Sequence, residues 1–252
     1  TILAVTHARL TPVLVEPDIS TYNLDPEAIE SHITPRTRVI LPVHLYGQAA
    51  EMSPILETAR RYNLKVIEDA AQAFGAEYRG RKIGTIGAIG CFSLQQGKHI
   101  TTGEGGIVVS NQPDLARRVF LHINKAWGYG DQNPDHYFMA LNYRMSELQG
   151  AVAAAQLPKL DGVVESRVAA AAKLTDMLVG LPGIETPPVA DGDRHTFWKY
   201  CPRVDSNVIC GGSPALGSAL KEFGIASAPR YIQKPAFQCQ IFREQNTLGS
   251  SH

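Results

Sequence analysis

The segment "VIEDAAQAFGAEYRGRKIGTIGAIGCFSLQQGKHITTGEGGIVVSN", residues 66–111, decides the fold. With the preceding Lys65, this segment contains three short apolar runs, "KVIEDAA" (65–71), "AIGCFSL" (88–94) and "GGIVVSN" (105–111). Upstream, the run "TRVILPVHL" (37–45) predicts a further strand, and "SPILETARRYN" (53–63) predicts a helix with Ser53 as its N-cap. Strands that are apolar on both faces and alternate with helices indicate a mainly parallel α/β sheet.

The downstream sequence extends this pattern. "QPDLARRVFLHIN" (112–124) predicts a helix with Asp114 in its first turn, and residues 146–180 predict two long helices that meet at Pro158. "TFWKYCPRV" (196–204) then predicts a strand and "SPALGSALKEFGI" (213–225) a helix. We therefore expect a large domain over residues 1–183 and a small αβ domain over residues 184–252, with both ends incomplete.

Composition narrows the classes of function. The 252 residues are 44% hydrophobic, and 24 basic side chains balance 24 acidic ones, so a nucleic-acid partner is not expected. No apolar run approaches the ~18 residues of a membrane span, and the opening residues carry no secretory signal pattern. The four cysteines form no CxxC pair, which favours a reducing cytoplasm and argues against a metal cluster.

Polar residues follow the predicted strands at the edge where open α/β sheets bind ligands. Asp69 ends one strand, and Gln72 lies one helical turn further on. A carboxylate in this position either caps the next turn or holds a protonated ring nitrogen by a charge-assisted hydrogen bond. Both interpretations of Asp69 stay open on its sequence context alone.

The second polar group surrounds Lys98. Ser93 ends a strand, Lys98 follows five residues later in a loop, and the glycine-rich tract "TTGEGG" (101–106) comes next. A hydroxyl with loop amides can seat a phosphate, although a lone serine or lysine is usually structural and the tract also suits a hairpin turn. A strand-end acid, a phosphate seat and a loop lysine together suit pyridoxal 5′-phosphate (PLP), whose aldehyde forms an imine with a lysine amine.

Three segments carry a resemblance to a known family. Residues 66–111, "TYNLDPEAIESHITPRTRVILPVHLYGQAAEM" (21–52) and "NYRMSELQGAVAAAQLPKLD" (142–161) resemble, in the right order, the sugar and cyclitol aminotransferases of the DegT/DnrJ/StrS type. These are fold-type I PLP enzymes, and the resemblance covers about residues 10–240. It implies that Lys98 is the Schiff-base lysine and proton shuttle.

The same resemblance implies further roles. Asp69 would pair with the pyridine nitrogen, Gln72 would contact the cofactor ring and Ser93 would hold the phosphate. Asn142 would reach the phosphate of the partner subunit, which implies a homodimer with shared active sites; as an alternative, it caps the helix at Ser146. His44 and Tyr46 would line the substrate pocket or be satisfied polar groups of the core.

The resemblance also implies the reaction. The family moves an amino group from glutamate or glutamine to a keto sugar or keto cyclitol, in amino-sugar, antibiotic or cell-surface glycan biosynthesis. Its phosphate-binding Gly-Thr/Ser turn and its stacking aromatic residue precede the segment that matches residue 1, so a catalytically silent or cofactor-free homologue with a binding or regulatory role stays open. A PLP-dependent sugar dehydratase, in which histidine replaces the lysine, is disfavoured because Lys98 is present.

Overall fold

The computed structural model describes residues 1–246. The strands are β1 (Val39–Ile40), β2 (Lys65–Asp69), β3 (Glu77–Tyr78), β4 (Arg81–Lys82), β5 (Ile89–Ser93), β6 (Gly106–Val109), β7 (Ile184–Glu185) and β8 (Arg203–Val204). The α-helices are α1 (Ile2–His7), α2 (Pro26–Ile29), α3 (Met52–Arg61), α4 (Pro113–Ile123), α5 (Glu147–Gln156), α6 (Leu160–Leu178), α7 (Gly212–Glu222) and α8 (Gln240–Arg243). The final residues of the predicted small domain, 247–252, lie outside the described part of the chain.

The central sheet has the strand order β1-β2-β5-β6. β1 pairs with β2 and β2 with β5 in parallel, which confirms the predicted α/β class. β6 pairs antiparallel with β5, because the loop between them returns directly without the crossover helix that a parallel pair normally uses. The two strand ends that carry Asp69 and Ser93 are therefore neighbours in this sheet.

The strand predicted over residues 37–45 is much shorter than expected. Only Val39–Ile40 is strand, because Pro42 has no N–H for a continuous ladder. The chain nevertheless stays beside β2: the Asp69 N–H donates to the Pro42 carbonyl at 2.9 Å, and the His44 N–H donates to the Asp69 carbonyl at 3.0 Å. These two bonds hold the Asp69 backbone through both its N–H and its carbonyl.

The prediction that Ser53 caps the following helix is wrong. α3 begins at Met52, with Glu51 at the N-cap position, and the Glu51 side chain makes no capping hydrogen bond. The Tyr78 hydroxyl instead accepts the Ser53 N–H at 3.2 Å and so satisfies one of the unpaired donors of the first turn. By contrast, α4 contains Asp114 in its first turn as predicted, and α5 and α6 meet at a 3₁₀ turn that contains Pro158.

The strand predicted over residues 196–204 is also wrong for most of its length. Only Arg203–Val204 is strand, while residues 196–200 run irregularly and Phe197 has a φ of 46°, outside the extended region. The Trp198 Nε1–H of this segment donates to the Gly97 carbonyl at 2.7 Å, and the Thr196 carbonyl lies 3.1 Å from the His99 Nε2, so the segment contacts the loop around Lys98.

The chain forms two compact units. The larger comprises Val15–Lys173 and Pro188–Tyr200, and contains the sheet and a core in which Met52 and Ile55 of α3 pack with Val66 of β2. The smaller comprises Thr1–Leu14, Leu174–Pro187 and the chain from Cys201 onward, and contains the β7–β8 ribbon and α7. The domain boundary placed between residues 183 and 184 stays a prediction. Within residues 1–246, no helix is both long and apolar enough to cross a membrane.

Candidate active site

Asp69 lies at the carboxyl end of β2, opposite Cys91 of the adjacent parallel strand β5. Its side chain is half-buried, and its Oδ1 accepts the Ala71 N–H at 3.1 Å. The carboxylate therefore does cap the following turn, one of the two interpretations that the sequence left open. Asp69 lies at the carboxyl end of its strand, where ligands of open α/β folds bind.

The loop that carries Lys98 is held at both ends. The Leu94 N–H donates to the Gly105 carbonyl at 2.8 Å, and the Thr102 N–H donates to the Leu94 carbonyl at 3.0 Å. Leu94 and Ile100 are 0% and 2% exposed and anchor the loop on either side of the lysine. Within the loop, the Lys98 N–H donates to the Gln95 carbonyl at 3.0 Å and forms a turn. The backbone of the loop is therefore held in place on both sides of Lys98.

The electrostatics of Lys98 link it to Asp69. Burial lowers the pKa of the Lys98 ammonium, the Asp69 carboxylate opposes this, and the positive charge of Lys199 adds to the lowering. The Asp69 carboxylate therefore acts on the Lys98 amine across the ends of adjacent strands. A lowered pKa makes more of the neutral amine available near neutral pH, which both a nucleophile and a proton acceptor require.

Trp198 is a contact of Lys98 that the sequence analysis missed. The Lys98 Nζ lies 4.1 Å from the centroid of the Trp198 ring, and the Trp198 Nε1–H donates to the Gly97 carbonyl at 2.7 Å. Trp198 follows Lys98 by one hundred positions in the chain and was included in a predicted strand. Nothing in its local sequence indicates this contact.

The side chains of Gln72 and Ser93 both accept a hydrogen bond from a backbone N–H. The Gln72 Oε1 accepts the Tyr46 N–H at 2.8 Å, and the Ser93 Oγ accepts the Gln95 N–H at 3.2 Å. Both side chains are half-buried. The Ser93 hydroxyl keeps its own proton to donate, and the Gln72 amide keeps its NH₂ group, so both can still bind a ligand.

His44 is a buried polar residue of the core. It is 0% exposed, its Nδ1 accepts the Ala50 N–H at 3.0 Å, and its Nε2 lies 3.1 Å from the Glu68 carboxylate. These contacts support the alternative of a satisfied core polar group over the substrate pocket predicted for His44. Tyr46 is 8% exposed and takes a φ of 58°. Its backbone N–H donates to Gln72 in this turn, and its ring does not face solvent.

Asn142 lies on the surface of the described chain. Its Oδ1 accepts the Arg144 N–H and the Arg144 Nε–H, each at 3.1 Å. The alternative that Asn142 caps the next helix is wrong, because Ser146 fills that position and forms a capping box with Gln149. Its predicted contact with the partner's cofactor stays a prediction.

His99, which directly follows Lys98, and His195 are buried histidines. His99 is 6% exposed, with Nε2 at 3.1 Å from the Thr196 carbonyl, and its Nδ1 has no hydrogen-bond partner among the described residues. Burial lowers the pKa of His99, and burial followed by the His99 charge lowers the pKa of His195 to about 4. Both lowered pKa values favour uncharged rings at neutral pH.

This set of groups fits PLP. The cofactor needs a lysine amine for its aldehyde, a carboxylate for its ring nitrogen and donors for its phosphate. Lys98, Asp69 and Ser93 supply these groups at the ends of β2 and β5 and in the loop after β5.

Comparison with known proteins shows the family and agrees with this fold. The chain belongs to the DegT/DnrJ/EryC1/StrS aminotransferase family, whose model matches residues 1–251. GDP-perosamine synthase of Caulobacter vibrioides is 42% identical over 229 residues, which are 90% of this chain and 61% of that protein. L-glutamine:2-deoxy-scyllo-inosose aminotransferase of Streptomyces fradiae is 35% identical over 256 residues, which are 96% of this chain and 60% of that protein.

A solved structure extends the match to the fold. DesV of S. venezuelae, crystallised in complex with a ketimine intermediate, is 36% identical and superposes with a TM-score of 0.84, over 94% of this chain and 61% of that one. The chain spans about 60% of the length of these curated relatives.

Proposed function

We propose that this chain carries the cofactor-binding centre of a PLP-dependent aminotransferase that transfers an amino group from glutamate or glutamine to a keto sugar or keto cyclitol. The observation that carries the proposal is the Lys98 amine, whose pKa is lowered by burial while the Asp69 carboxylate acts on it from the end of the neighbouring strand. Family membership supports the reaction class.

Different residues of the site bind different parts of the cofactor. The Asp69 carboxylate would accept a hydrogen bond from the ring nitrogen of the cofactor, and the Ser93 hydroxyl would donate to its phosphate. The Gln72 side chain would contact the cofactor ring. When bound, PLP supplies an electron-withdrawing ring that stabilises negative charge on the carbon next to the transferred nitrogen.

Lys98 moves the proton. Its amine loses its proton at a lower pH than the amine of an exposed lysine does. The neutral amine accepts a proton from the donor carbon and later gives it back to complete the transfer. Burial of Lys98 against Trp198 limits the water that competes for this proton. The Asp69 carboxylate moderates the loss of basicity, because a nearby negative charge favours the ammonium.

The names of relatives support the substrate classes. One relative uses L-glutamine and a scyllo-inosose, and another is a GDP-perosamine synthase, so both cyclitol and sugar acceptors occur among them. The homodimer in which Asn142 reaches the partner's cofactor follows from the resemblance of residues 142–161 to the family. We place the enzyme in the cytoplasm, as the four widely spaced cysteines without a CxxC pair predict.

The test titrates the purified full-length protein with PLP and follows the visible absorption of the lysine adduct. Borohydride reduction and peptide mass spectrometry should place the label on Lys98, and Lys98→Met should form no adduct. Addition of glutamine or glutamate should then convert the bound cofactor to its amine form. A wild-type protein without any adduct would contradict the proposal, and an adduct without conversion by either donor would remove the aminotransferase assignment.

A further inference from the structure

We propose that Trp198 is a positioning residue for the Lys98 amine. This inference rests on the proposed function and assigns a role to a residue outside the predicted set of cofactor-binding residues. The indole does two separate things to the lysine loop: its N–H fixes the backbone carbonyl that precedes Lys98, and its ring face contacts the ammonium.

The two contacts restrain Lys98 at both ends of its side chain. The 2.7 Å bond from Trp198 Nε1 to the Gly97 carbonyl fixes the peptide that leads into the Lys98 Cα. The ring centroid, 4.1 Å from Nζ, lies well within the distance of a cation–π contact. A lysine side chain has several freely rotating bonds, so a restraint at its base and its tip removes much of the disorder that a reacting amine must lose.

Trp198 is itself held firmly enough for this role. It is 9% exposed, and the Arg167 Nη1 donates to the Phe197 and Trp198 carbonyls at 3.2 and 3.4 Å. On either side of it, the Thr196 N–H donates to the Gly47 carbonyl at 2.9 Å and the Lys199 N–H donates to the Tyr46 carbonyl at 3.3 Å. The backbone that carries the indole is therefore held by the turn after β1 and by α6, in addition to its bonds with the lysine loop.

The choice of tryptophan matters chemically. Phenylalanine would offer a ring face to Nζ but no N–H, and it would leave the Gly97 carbonyl without this donor. Histidine would offer a donor with a smaller and less electron-rich face. Of the natural side chains, only indole combines a large cation-binding ring face with an N–H donor that does not lose its proton on titration.

The first experiment tests the contact without any cofactor. The chain contains two tryptophans, so Trp127→Phe leaves Trp198 as the single indole fluorophore. In this background the emission should titrate with pH as the ammonium beside the ring loses its proton. The transition should survive Lys199→Met, whose Nζ lies farther from the centroid at 5.1 Å, and disappear in Lys98→Met. An unchanged titration in Lys98→Met overturns the inference.

The second experiment tests the consequence. Trp198→Phe keeps a ring face and removes the donor, and we expect it to form the Lys98 adduct with PLP roughly 10- to 100-fold more slowly, as for a small misplacement of a reacting group. Equilibrium binding of PLP, measured by ultrafiltration, should change much less. Trp127→Phe is the matched control and should form the adduct at the wild-type rate. A wild-type rate in Trp198→Phe, or equal slowing in Trp127→Phe, overturns the inference.

The two experiments separate this inference from the proposed function. If the wild-type protein forms no adduct at all, the proposed function fails, and the emission titration still decides whether Trp198 senses the Lys98 charge. If Trp198→Phe does not fold, the same titration decides, because it is carried out with Trp198 intact.

Discussion

The Glu68 carboxylate accepts a hydrogen bond from the Nε2–H of His44 at 3.1 Å, and neither side chain is exposed to solvent. The proton lies on Nε2 because Nδ1 accepts the Ala50 N–H. The same carboxylate accepts the N–H groups of Gly84 and Ile86, each at 2.7 Å. Glu68 directly precedes Asp69, so this buried cluster fixes the strand end on which the candidate active site is built.

Replacement of Glu68 should therefore be costly. We expect Glu68→Gln to lower the free energy of unfolding by about 3 kcal/mol, because an amide cannot accept all the donors that the carboxylate satisfies. Chemical denaturation of both proteins measures the difference. Glu185→Gln is the control, since Glu185 and Arg203 form an exposed pair on β7 and β8, and it should cost less than about 1 kcal/mol. Equal costs for the two substitutions would contradict the role assigned to Glu68.

The Glu68 cluster should also contribute to acid sensitivity. Burial raises the pKa of Glu68, but the hydrogen bonds from His44, Gly87 and Gly84 outweigh it, so the net pKa lies below the usual value. A lowered folded-state pKa gives stability that is complete above the unfolded value of about 4.3 and is lost as the pH falls through the folded value. The difference in unfolding free energy between wild type and Glu68→Gln should therefore shrink as the pH falls below about 4. A difference that grows with acidity would contradict this sign.

His195 should give the protein a second pH dependence, in a milder range. Burial and the His99 charge lower the pKa of His195 to about 4, and its Nδ1 accepts the Phe197 N–H at 2.9 Å. The unfolded chain binds this proton below about 6.5 and the folded chain does not, so stability is lost as the pH falls from 6.5 towards 4, by up to about 3 kcal/mol.

The matched variant for this prediction is His195→Asn, whose amide oxygen can replace the Nδ1 acceptor but cannot titrate. Urea unfolding at pH 7.5 and pH 5 should show a smaller loss of stability in the variant than in wild type. His7→Asn, at an exposed position of α1, should leave the wild-type pH dependence intact. An identical pH dependence in wild type and His195→Asn would exclude a buried neutral His195.

Gly47 should tolerate no side chain. Its φ is +100°, and an added Cβ would lie 2.8 Å from the Thr196 Oγ1 and 2.9 Å from the backbone nitrogens of Phe197 and Trp198. We expect Gly47→Ala to cost about 3 kcal/mol from backbone strain and overpacking. Gly80→Ala is the control, since Gly80 also has a positive φ of +75° but no neighbour within 4 Å, and it should cost about 1 kcal/mol. Thermal and chemical denaturation compare the two, and equal losses would mean that contact with residues 196–198 does not matter.

The reactivity of Lys98 should respond in opposite directions to its two charged neighbours. Asp69 raises and Lys199 lowers its pKa, so Asp69→Asn should shift the pH midpoint of amine reactivity downward and Lys199→Met should shift it upward. Reductive methylation of the cofactor-free protein, followed by mass spectrometry of the peptide that contains Lys98, measures the midpoint. Shifts in the same direction would show that changes in solvation, rather than charge, control the amine.

Much of the site could be predicted from local patterns. Asp69 and Ser93 end strands, Lys98 follows in a loop, and helices α4, α5 and α6 occupy the predicted segments, because each depends on short-range signals such as apolar runs, turn residues and caps. The resemblance to a family supplied the chemistry of these positions. Residues 37–45 and 196–204 were predicted as longer strands than they are, because β-branched and aromatic residues also suit irregular segments that pack against a loop.

By itself, the sequence determined the α/β class, the order of the strands along the chain and the identities of the acid, hydroxyl and amine at their ends. Only the tertiary structure decided that β6 runs antiparallel, that His44 is bound to Glu68 inside the core and that Trp198 lies against Lys98. The physical reason is the range of the interactions. Propensity and capping act over a few residues, whereas a buried hydrogen bond or ring contact joins groups that lie far apart in sequence and meet only when the chain has packed.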